Sequence, residues 1–573
     1  MKFDKETIIV FGICAVVLFA WQPFCQYMGW LPKPNQTQKQ VQQEKVAAPQ
    51  TSETKADKAK TVKSASSEVT ENKKIDQPKI AILPEQKLEG KFSSFTFSPN
   101  TGIVDKITFL KYFNQDRETC IQFKDNLAPG ALAVFGATEW KVDEIVDNSK
   151  SSENKSYKLV RKITNGVGKK FVLTQKWEIS DDYILNYSFS IKNSEKSELV
   201  FPELSVMGVG LLPFSVLTND KHIRQETNSI DYCTVSGSLE CIKTNDDNDD
   251  FFAPNKEKIR WCGGANKYFA TMIAAEKPFD KIVPKRKFIP ETDKQQEHYW
   301  AALGGGYVNL TVPAGSEKTF NFKCYNGPKI IDQLAKFDNK APDIMNLSYG
   351  GPMDWIAEKL LSFLIFLKGI CGSYGWSIII ITIIVRLLFW PITQKANSSM
   401  KRMQKLQPQM KEIREKYKDD PQTMNAKVME LYRQEKVNPL GGCLPILLQI
   451  PVFIALYSTL NGAVELRQVP FWYIADLAKP DTIATLFGVL DINPLVIIMT
   501  GLMVLQQRLT PAAMDPMQQK MMMFMPVFML FILYNLPAGL TLYWTVSQIF
   551  AILQLLLQKK LNSEENKPVK KAA

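Results

Sequence analysis

The stretch Ile378–Trp390, IIIITIIVRLLFW, contains one ionisable residue, Arg386. An arginine near the middle of a membrane span costs about 2.5 to 3.5 kcal/mol even on the gentlest insertion scale, so its environment must offset that cost. A buried carboxylate is the usual partner, but Asp491 and Asp515 stand only at the ends of neighbouring apolar runs. Neutral polar residues are nearer: Thr382 lies one turn before Arg386 on the same helix face, and Gln449, Ser458, Gln506, Gln507, Ser547 and Gln548 punctuate the other apolar runs. Two readings follow. Pro391 comes five residues after Arg386, so the guanidinium is about 7 to 8 Å from a helix end at 1.5 Å per residue and can snorkel there. Alternatively the glutamines, which have no reason to face lipid, converge with Arg386 on a water-filled recess.

Other chemistry is sparse. The two histidines, His222 and His298, belong to no H-E-x-x-H pattern, no G-x-S-x-G is present, and Gly166, Gly168 and Lys169 in NGVGKK lack the upstream glycine of a phosphate-binding loop. These absences argue against a hydrolase or an NTPase, and no cofactor or metal site is implied. The nine cysteines form no C-x-x-C pair. Five of them (Cys120, Cys233, Cys241, Cys262, Cys324) fall in the polar middle of the chain, which leaves open either unpaired thiols or one disulfide among Cys233, Cys241 and Cys262. Met521, Met522, Met523 and Met525 cluster in one apolar run; they suit ordinary packing or an adaptable surface for varied apolar partners.

The elements that must position Arg386 come from the distribution of apolar residues. The chain has 573 residues, 45% of them hydrophobic, and its mean hydropathy of -0.14 averages two unlike parts. Apolar runs occupy the N-terminus and the region after about residue 355, with polar, mixed sequence between. The net charge of +12 gathers beside the apolar runs, as cytoplasmic loops require, and not on a motif that reads a specific nucleic-acid sequence. Ile8–Trp21, preceded by Lys2 and Lys5 and followed by Trp21, Phe24, Tyr27 and Trp30, reads as an uncleaved anchor within 1–32 whose N-terminus is cytoplasmic. Residues 33–79, rich in Lys, Gln, Ser, Ala and Glu, read as a disordered linker.

Tyr183, Leu185, Tyr187, Phe189 and Ile191 alternate with polar residues, and similar runs occur at Phe171–Trp177 and Tyr307–Val312, so 80–340 reads as one extracytoplasmic β-sandwich. The segment 354–370 is too short in apolar residues to span and reads as an interfacial amphipathic helix. A span follows over Ser373–Thr393. Eleven Lys and Arg between Thr393 and Asn438 place 396–437 in the cytoplasm as a helical hairpin, with Met403, Leu406, Met410, Ile413 and Tyr417 facing Met424, Val428 and Leu431, and with Pro408 kinking the first helix. Spans at Cys443–Val464, Asn493–Leu509, Met521–Leu536 and Ala538–Leu557 complete a five-span core over 371–560. With the N-terminal anchor, the fold class is a multi-domain membrane protein: an α-helical transmembrane bundle of six spans plus a large all-β sandwich, ending in a basic cytoplasmic tail at 561–573.

The segments VNPLGGCLPILLQIPVFIALYSTL (437–460), DPMQQKMMMFMPV (515–527) and LPAGLTLYW (536–544), with IIIITIIVR before them, resemble the YidC-type membrane protein insertases, the bacterial relatives of the mitochondrial Oxa and chloroplast Alb proteins. The resemblance runs in order over about residues 350–560, and the inserted domain with its extra N-terminal anchor resembles the Gram-negative branch. It implies an inner-membrane insertase and chaperone, not an enzyme, with both termini cytoplasmic and a periplasmic β-supersandwich. Arg386 would line a hydrophilic groove, open to cytoplasm and lipid, that receives the polar tails of nascent membrane proteins. The same resemblance places Thr382, Gln449, Tyr543, Trp544 and Ser547 in that groove and Met521, Met522 and Met525 on a surface where substrate helices slide. Trp544 departs from the family pattern, which commonly has a second tyrosine there. Implied partners are the Sec translocon (SecYEG, SecDF), membrane lipids, and the ribosome through the basic tail. The short Asn493–Leu509 run would suit a thinned bilayer.

A small-anion transporter using Arg386 as its binding group is the alternative. No internal repeat of the transporter kind is present in the sequence. A scaffold whose β domain carries the function is a third reading.

Overall fold

Period-two alternation builds the first part of the chain. The strand Lys170–Ile179 (KFVLTQKWEI) buries alternate side chains, and Ile184–Asn193 does the same for much of its length, because successive side chains of a strand point to opposite faces of the sheet. In the computed structural model the described residues run from 83 to 565, apart from 125–129, 181–182, 219–228, 244–256, 290–297, 346–351, 419, 436, 438–443, 488–489 and 511–515. The expected anchor and linker therefore lie outside the described residues, as do most of the basic tail and its side chains.

The β region contains three antiparallel sheets. The largest runs Leu239–Lys243, Ser229–Thr234, Ile259–Ala265, Phe269–Phe279, Glu317–Pro328, Ile184–Asn193, Lys170–Ile179, Ser156–Asn165 and Trp140–Lys150 in spatial order. A second runs Lys281–Ile289, His298–Val312, Leu199–Val206 and Val134–Gly136; the third is the meander Gln86–Glu89, Ser93–Ser98, Ile103–Phe113 and Cys120–Lys124. The three strands expected from alternation are all present: Lys170–Ile179 extends beyond both expected ends, Ile184–Asn193 runs on at its C-terminal end, and His298–Val312 starts earlier than expected. The sheets share one core in which Trp177 is fully buried and stacks on Tyr157 and Tyr187, with ring centroids 5.3 and 5.5 Å away.

One polar contact locks the meander onto the large sheet. Arg161 is 4% exposed; it donates to the Thr101 carbonyl at 2.7 Å and to Gln175 Oε1 at 2.5 Å, while Gln175 Nε2 donates to the Gly102 carbonyl at 3.1 Å and to the Tyr187 hydroxyl at 2.9 Å. Gly102 has a φ of +69°, and a Cβ there would meet the Arg161 guanidinium at 2.3 Å, so the turn needs glycine for both conformation and space. No disulfide links the described cysteines Cys120, Cys233, Cys241, Cys262, Cys324 and Cys371.

Helices then take over. Two short ones, α1 (Phe214–Thr218) and α2 (Ile331–Phe337), belong to the β region. The rest are α3 (Pro352–Cys371), α4 (Tyr374–Leu388), α5 (Trp390–Lys405), α6 (Gln407–Lys416), α7 (Pro421–Gln434), α8 (Leu444–Gly462), α9 (Pro494–Leu509), α10 (Pro516–Leu533) and α11 (Ala538–Glu565). Between α3 and α4 the chain bends by 119° at Gly372, whose φ of +72° is one that side-chain-bearing residues rarely adopt.

Prolines set the other breaks. The expected span Ser373–Thr393 is shorter as a helix, because α4 ends at Leu388 and α5 restarts with Pro391 in its first turn, a position where the missing N–H costs nothing. In the same way the kink expected at Pro408 is a full break at Leu406, with Pro408 in the first turn of α6. The hairpin seam forms: Leu406, Met410, Leu431 and Val437 are buried together, with Met403, Ile413, Val428 and Tyr432 against them, whereas Tyr417 and Met424 are not in that cluster. Asp420 caps α7, its carboxylate accepting the Gln422 and Thr423 N–H groups at 3.1 Å each.

Among the described residues, Ala538–Lys560 in α11 is the helix long and apolar enough to cross a membrane unaided. The bent pair α3 and α4 passes the same test together, and α9 and Met523–Leu533 in α10 are shorter apolar helices.

Replacing Trp177 by alanine removes a fully buried indole from between two tyrosine rings and is expected to cost about 3 to 5 kcal/mol. A denaturant titration of the full chain in detergent, followed by β-sheet circular dichroism, checks this; an unchanged midpoint contradicts it.

Candidate functional site

The guanidinium of Arg386 meets a hydroxyl, not an acid. Its Nε donates to Ser547 Oγ at 2.7 Å, and Nη2 reaches the same oxygen. Ser547 lies nine residues into α11, about 14 Å from the start of the helix. One turn earlier, Tyr543 is 1% exposed; Gln449 of α8 donates to its hydroxyl, and Ser547 is also within hydrogen-bond reach of it. Three helices thus converge on one polar cluster: α4 supplies Arg386, α8 supplies Gln449, and α11 supplies Tyr543 and Ser547. The guanidinium turns sideways onto α11 and not along its own helix toward Pro391. No ion pair to Arg386 occurs among the described residues.

The register of α4 and α5 against α11 repeats. Arg386 bonds Ser547, and eleven residues further along each segment Asn397 Nδ2 donates to Gln558 Oε1 at 3.2 Å. The sequence separation is 161 in both pairs, so α5 carries on alongside α11 in the same direction after the break at Phe389.

The remaining residues singled out in the sequence divide. Thr382 is fully buried and its hydroxyl donates to the Ile378 carbonyl at 2.6 Å. Trp544 packs edge-on against Phe453 at 5.0 Å, away from the Arg386 cluster. Met525 is 44% exposed, beside the exposed Met523, Phe524, Phe528 and Phe531; the side chains of Met521 and Met522 lie outside the described residues. Ser458, Gln506 and Gln507 are partly exposed and are not bonded partners of Arg386. Asn397, Gln554 and Gln558 escaped sequence reading. The available signal was their spacing on α11, since Ser547, Gln554 and Gln558 follow at 7 and 4 residues and so share a face.

The opposite end of the bundle is fastened to the sheets by the loop after α8. Gln468 Nε2 donates to the Phe113 and Asn114 carbonyls at 3.3 and 2.6 Å, Arg117 donates to the Ala475 carbonyl at 2.7 Å, and Lys267 donates to Asn461 Oδ1 at 3.0 Å. Arg467 lies over the Phe214 ring at 5.0 Å. The loop also receives the start of α11, since the Ala538 and Gly539 N–H groups donate to the Lys479 and Leu477 carbonyls at 2.7 and 2.9 Å. At this junction both carboxylate oxygens of Glu465 are buried without a hydrogen-bond partner among the described residues. Burial outweighs the pull of its own backbone N–H and, with a smaller contribution from Asp332, pushes its carboxyl up to about 7. No cluster of three or more metal-ligating side chains exists among the described residues.

With this geometry established, comparison with known proteins is specific. Residues 366–566 match the family described as 60Kd inner membrane protein, and residues 94–363 match the YidC periplasmic domain. The membrane protein insertase YidC of Pelobacter propionicus is 39% identical over 412 residues, 70% of this chain and 71% of that protein. The chain belongs to the YidC family of membrane protein insertases. The YidC of Geobacter sulfurreducens is 40% identical over 302 residues, a match that spans about half of each chain at 51% and 52%. Among solved structures, an active YidC insertase with its first transmembrane domain resolved is 19% identical, covers 83% of this chain and 95% of that one, and gives a TM-score of 0.34. The boundary between the two family matches falls within α3. The β region is thus a YidC periplasmic domain and the helical region the inner-membrane part.

Because burial raises the Glu465 carboxyl from 4.5 to about 7, the folded state binds its proton more tightly than the unfolded one. The penalty is absent below pH 4.5 and grows as pH rises toward 7, reaching about 3 kcal/mol at most. Glu465→Gln is expected to flatten the stability profile over that window and to raise stability at pH 8. Thermal unfolding of both proteins in detergent across the pH range checks this, and parallel profiles contradict it.

Proposed function

We propose that this YidC-family chain inserts membrane proteins by receiving their hydrophilic segments in a cytoplasm-facing groove built around Arg386. The observation that carries the reading is the desolvated guanidinium whose bonded partner is a neutral hydroxyl. A charge without a fixed counter-ion can pair transiently with an acidic substrate tail, and Ser547, Tyr543 and Gln449 hold the cavity polar while it waits. Release of the apolar helix into lipid supplies the free energy, so no nucleotide site is needed.

In this reading the exposed apolar face of α10, including Met525, is where the substrate helix leaves, with Met521 and Met522 on the same segment. The six-span arrangement, with both termini cytoplasmic and 80–340 in the periplasm, belongs to the proposal. So do the interfacial role of 354–370, the action of the hairpin 396–437 near incoming chains, and contacts with the Sec translocon and the ribosome. The basic segments that flank the apolar runs support that orientation, and the 119° bend at Gly372 supports α3 lying in the interface. Thr382 and Trp544 act in this scheme by packing α4 and α11, not by touching substrate. The transporter alternative gains nothing from the relatives, which are named insertases.

Arg386→Ala is expected to slow insertion of acidic-tailed substrates by about tenfold or more, the worth of a charge-assisted hydrogen bond, with Arg386→Lys retaining part of it. Protease protection of newly made substrates in membrane vesicles reads the effect. Unchanged insertion across a set of acidic-tailed substrates would falsify the role given to Arg386.

A further inference from the structure

Over the eleven residues that follow Ser547 on α11, about 16 Å to the far end at Gln558, α5 and α11 carry a second polar set. It comprises Asn397, Gln548, Gln554 and Gln558, which are 6%, 8%, 2% and 8% exposed. Asn397 and Gln558 bond one another. Gln554 Nε2, Gln558 Nε2 and Gln548 Oε1 are buried without a partner among the described residues. Helix packing does not require polar residues here, since Ala551 on the same face is buried as an ordinary apolar contact. Buried amide groups left without partners are a standing cost, and natural chains carry such groups where something else satisfies them.

We infer that Asn397, Gln548, Gln554 and Gln558 form a second station for the incoming chain, one that binds its peptide backbone. The inference rests on the groove reading of Arg386 and deepens it. The chemistry of the set selects the ligand class. Its free groups are two amide donors and one amide acceptor, with no charge among its four side chains; Lys559 and Lys560 point to solvent from the other face. A phosphate or carboxylate would require a cation, whereas a polypeptide backbone presents one acceptor and one donor at every residue whatever its side chains. The station therefore holds neutral and acidic tails alike, and Arg386 adds selection for acid further in. An extended chain covers the roughly 16 Å between Arg386–Ser547 and the far Asn397–Gln558 pair in about five residues.

The wild-type full chain in inner-membrane vesicles serves for the test. Stalled nascent chains with either a neutral Ser/Asn tail or an acidic tail carry a photoreactive residue at successive tail positions, and adducts are mapped by mass spectrometry. The expected result is adducts on Asn397, Gln554 or Gln558 with both tails, at tail positions offset by about five residues from those that mark Arg386 and Ser547. Adducts near Arg386 with none at the second set overturn this inference and leave the groove standing; adducts at neither overturn both. Gln554→Leu is expected to lower insertion by about three- to tenfold for neutral and acidic tails equally, the worth of one hydrogen bond, with expression and unfolding temperature of the variant measured alongside. A loss confined to acidic tails overturns backbone recognition.

Discussion

The contact between Arg386 and Ser547 is the constraint around which the helical region is arranged. A guanidinium this deep in an apolar bundle must find hydrogen-bond acceptors, and a carboxylate partner would have neutralised it for good. Serine satisfies part of its donor capacity and leaves the charge in place. For this to work α4 must lie against α11 with its arginine opposite a small polar residue, and α8 must bring Gln449 to the neighbouring tyrosine. An eleven-residue repeat, at 3.67 residues per turn, keeps the same faces opposed for three turns. Hence Asn397 meets Gln558 at the separation Arg386 has from Ser547, although the helix carrying them is interrupted by Pro391.

That geometry needs an external brace, because α11 has few fixed neighbours along its exposed Ile549, Leu553 and Leu556 side. The brace comes from the β domain. The loop after α8 bonds to the meander strands through Gln468 and Arg117, takes the first N–H groups of α11, and packs the Phe471 ring where Gly375 of α4 has no side chain; a Cβ there would come within 2.2 Å of it. The start of α4 and the start of α11 are thereby held by the same loop. The buried Glu465 within that fastening is a polar group the junction carries at an energetic cost. By contrast, α10 packs on α9 and exposes Met523, Phe524, Phe528 and Phe531, so the bundle has one side braced by the β domain and one exposed apolar side.

Much of this was legible in the residues. Alternation in Lys170–Ile179 and Ile184–Asn193 marks strands because a half-buried sheet permits no other period. The seam of Leu406, Met410 and Leu431 marks a helical pair, and IIIITIIVR together with LPAGLTLYW marks the family. Where the reading fell short, the cause was competition that a linear sequence does not display. Thr382 and Arg386 share a face, and the hydroxyl of Thr382 donates to its own backbone. Trp544 adjoins Tyr543, yet one step of a helix turns it through about 100°, toward Phe453 and away from the arginine.

Sequence alone determined that the apolar runs hold no acidic residue for Arg386 except at their ends, that polar side chains were available in them, and which family the chain resembles. Tertiary structure alone decided that Ser547 is the bonded partner of the charge and Gln506 and Gln507 are not, that Asn397 bonds Gln558, and that a loop near residue 468 anchors the bundle to the sheets. The division has a physical reason. Burial cost and periodicity are properties of a residue and its near neighbours along the chain, whereas partnership depends on the register between helices 161 residues apart, which is set by packing and by a brace that no local pattern encodes.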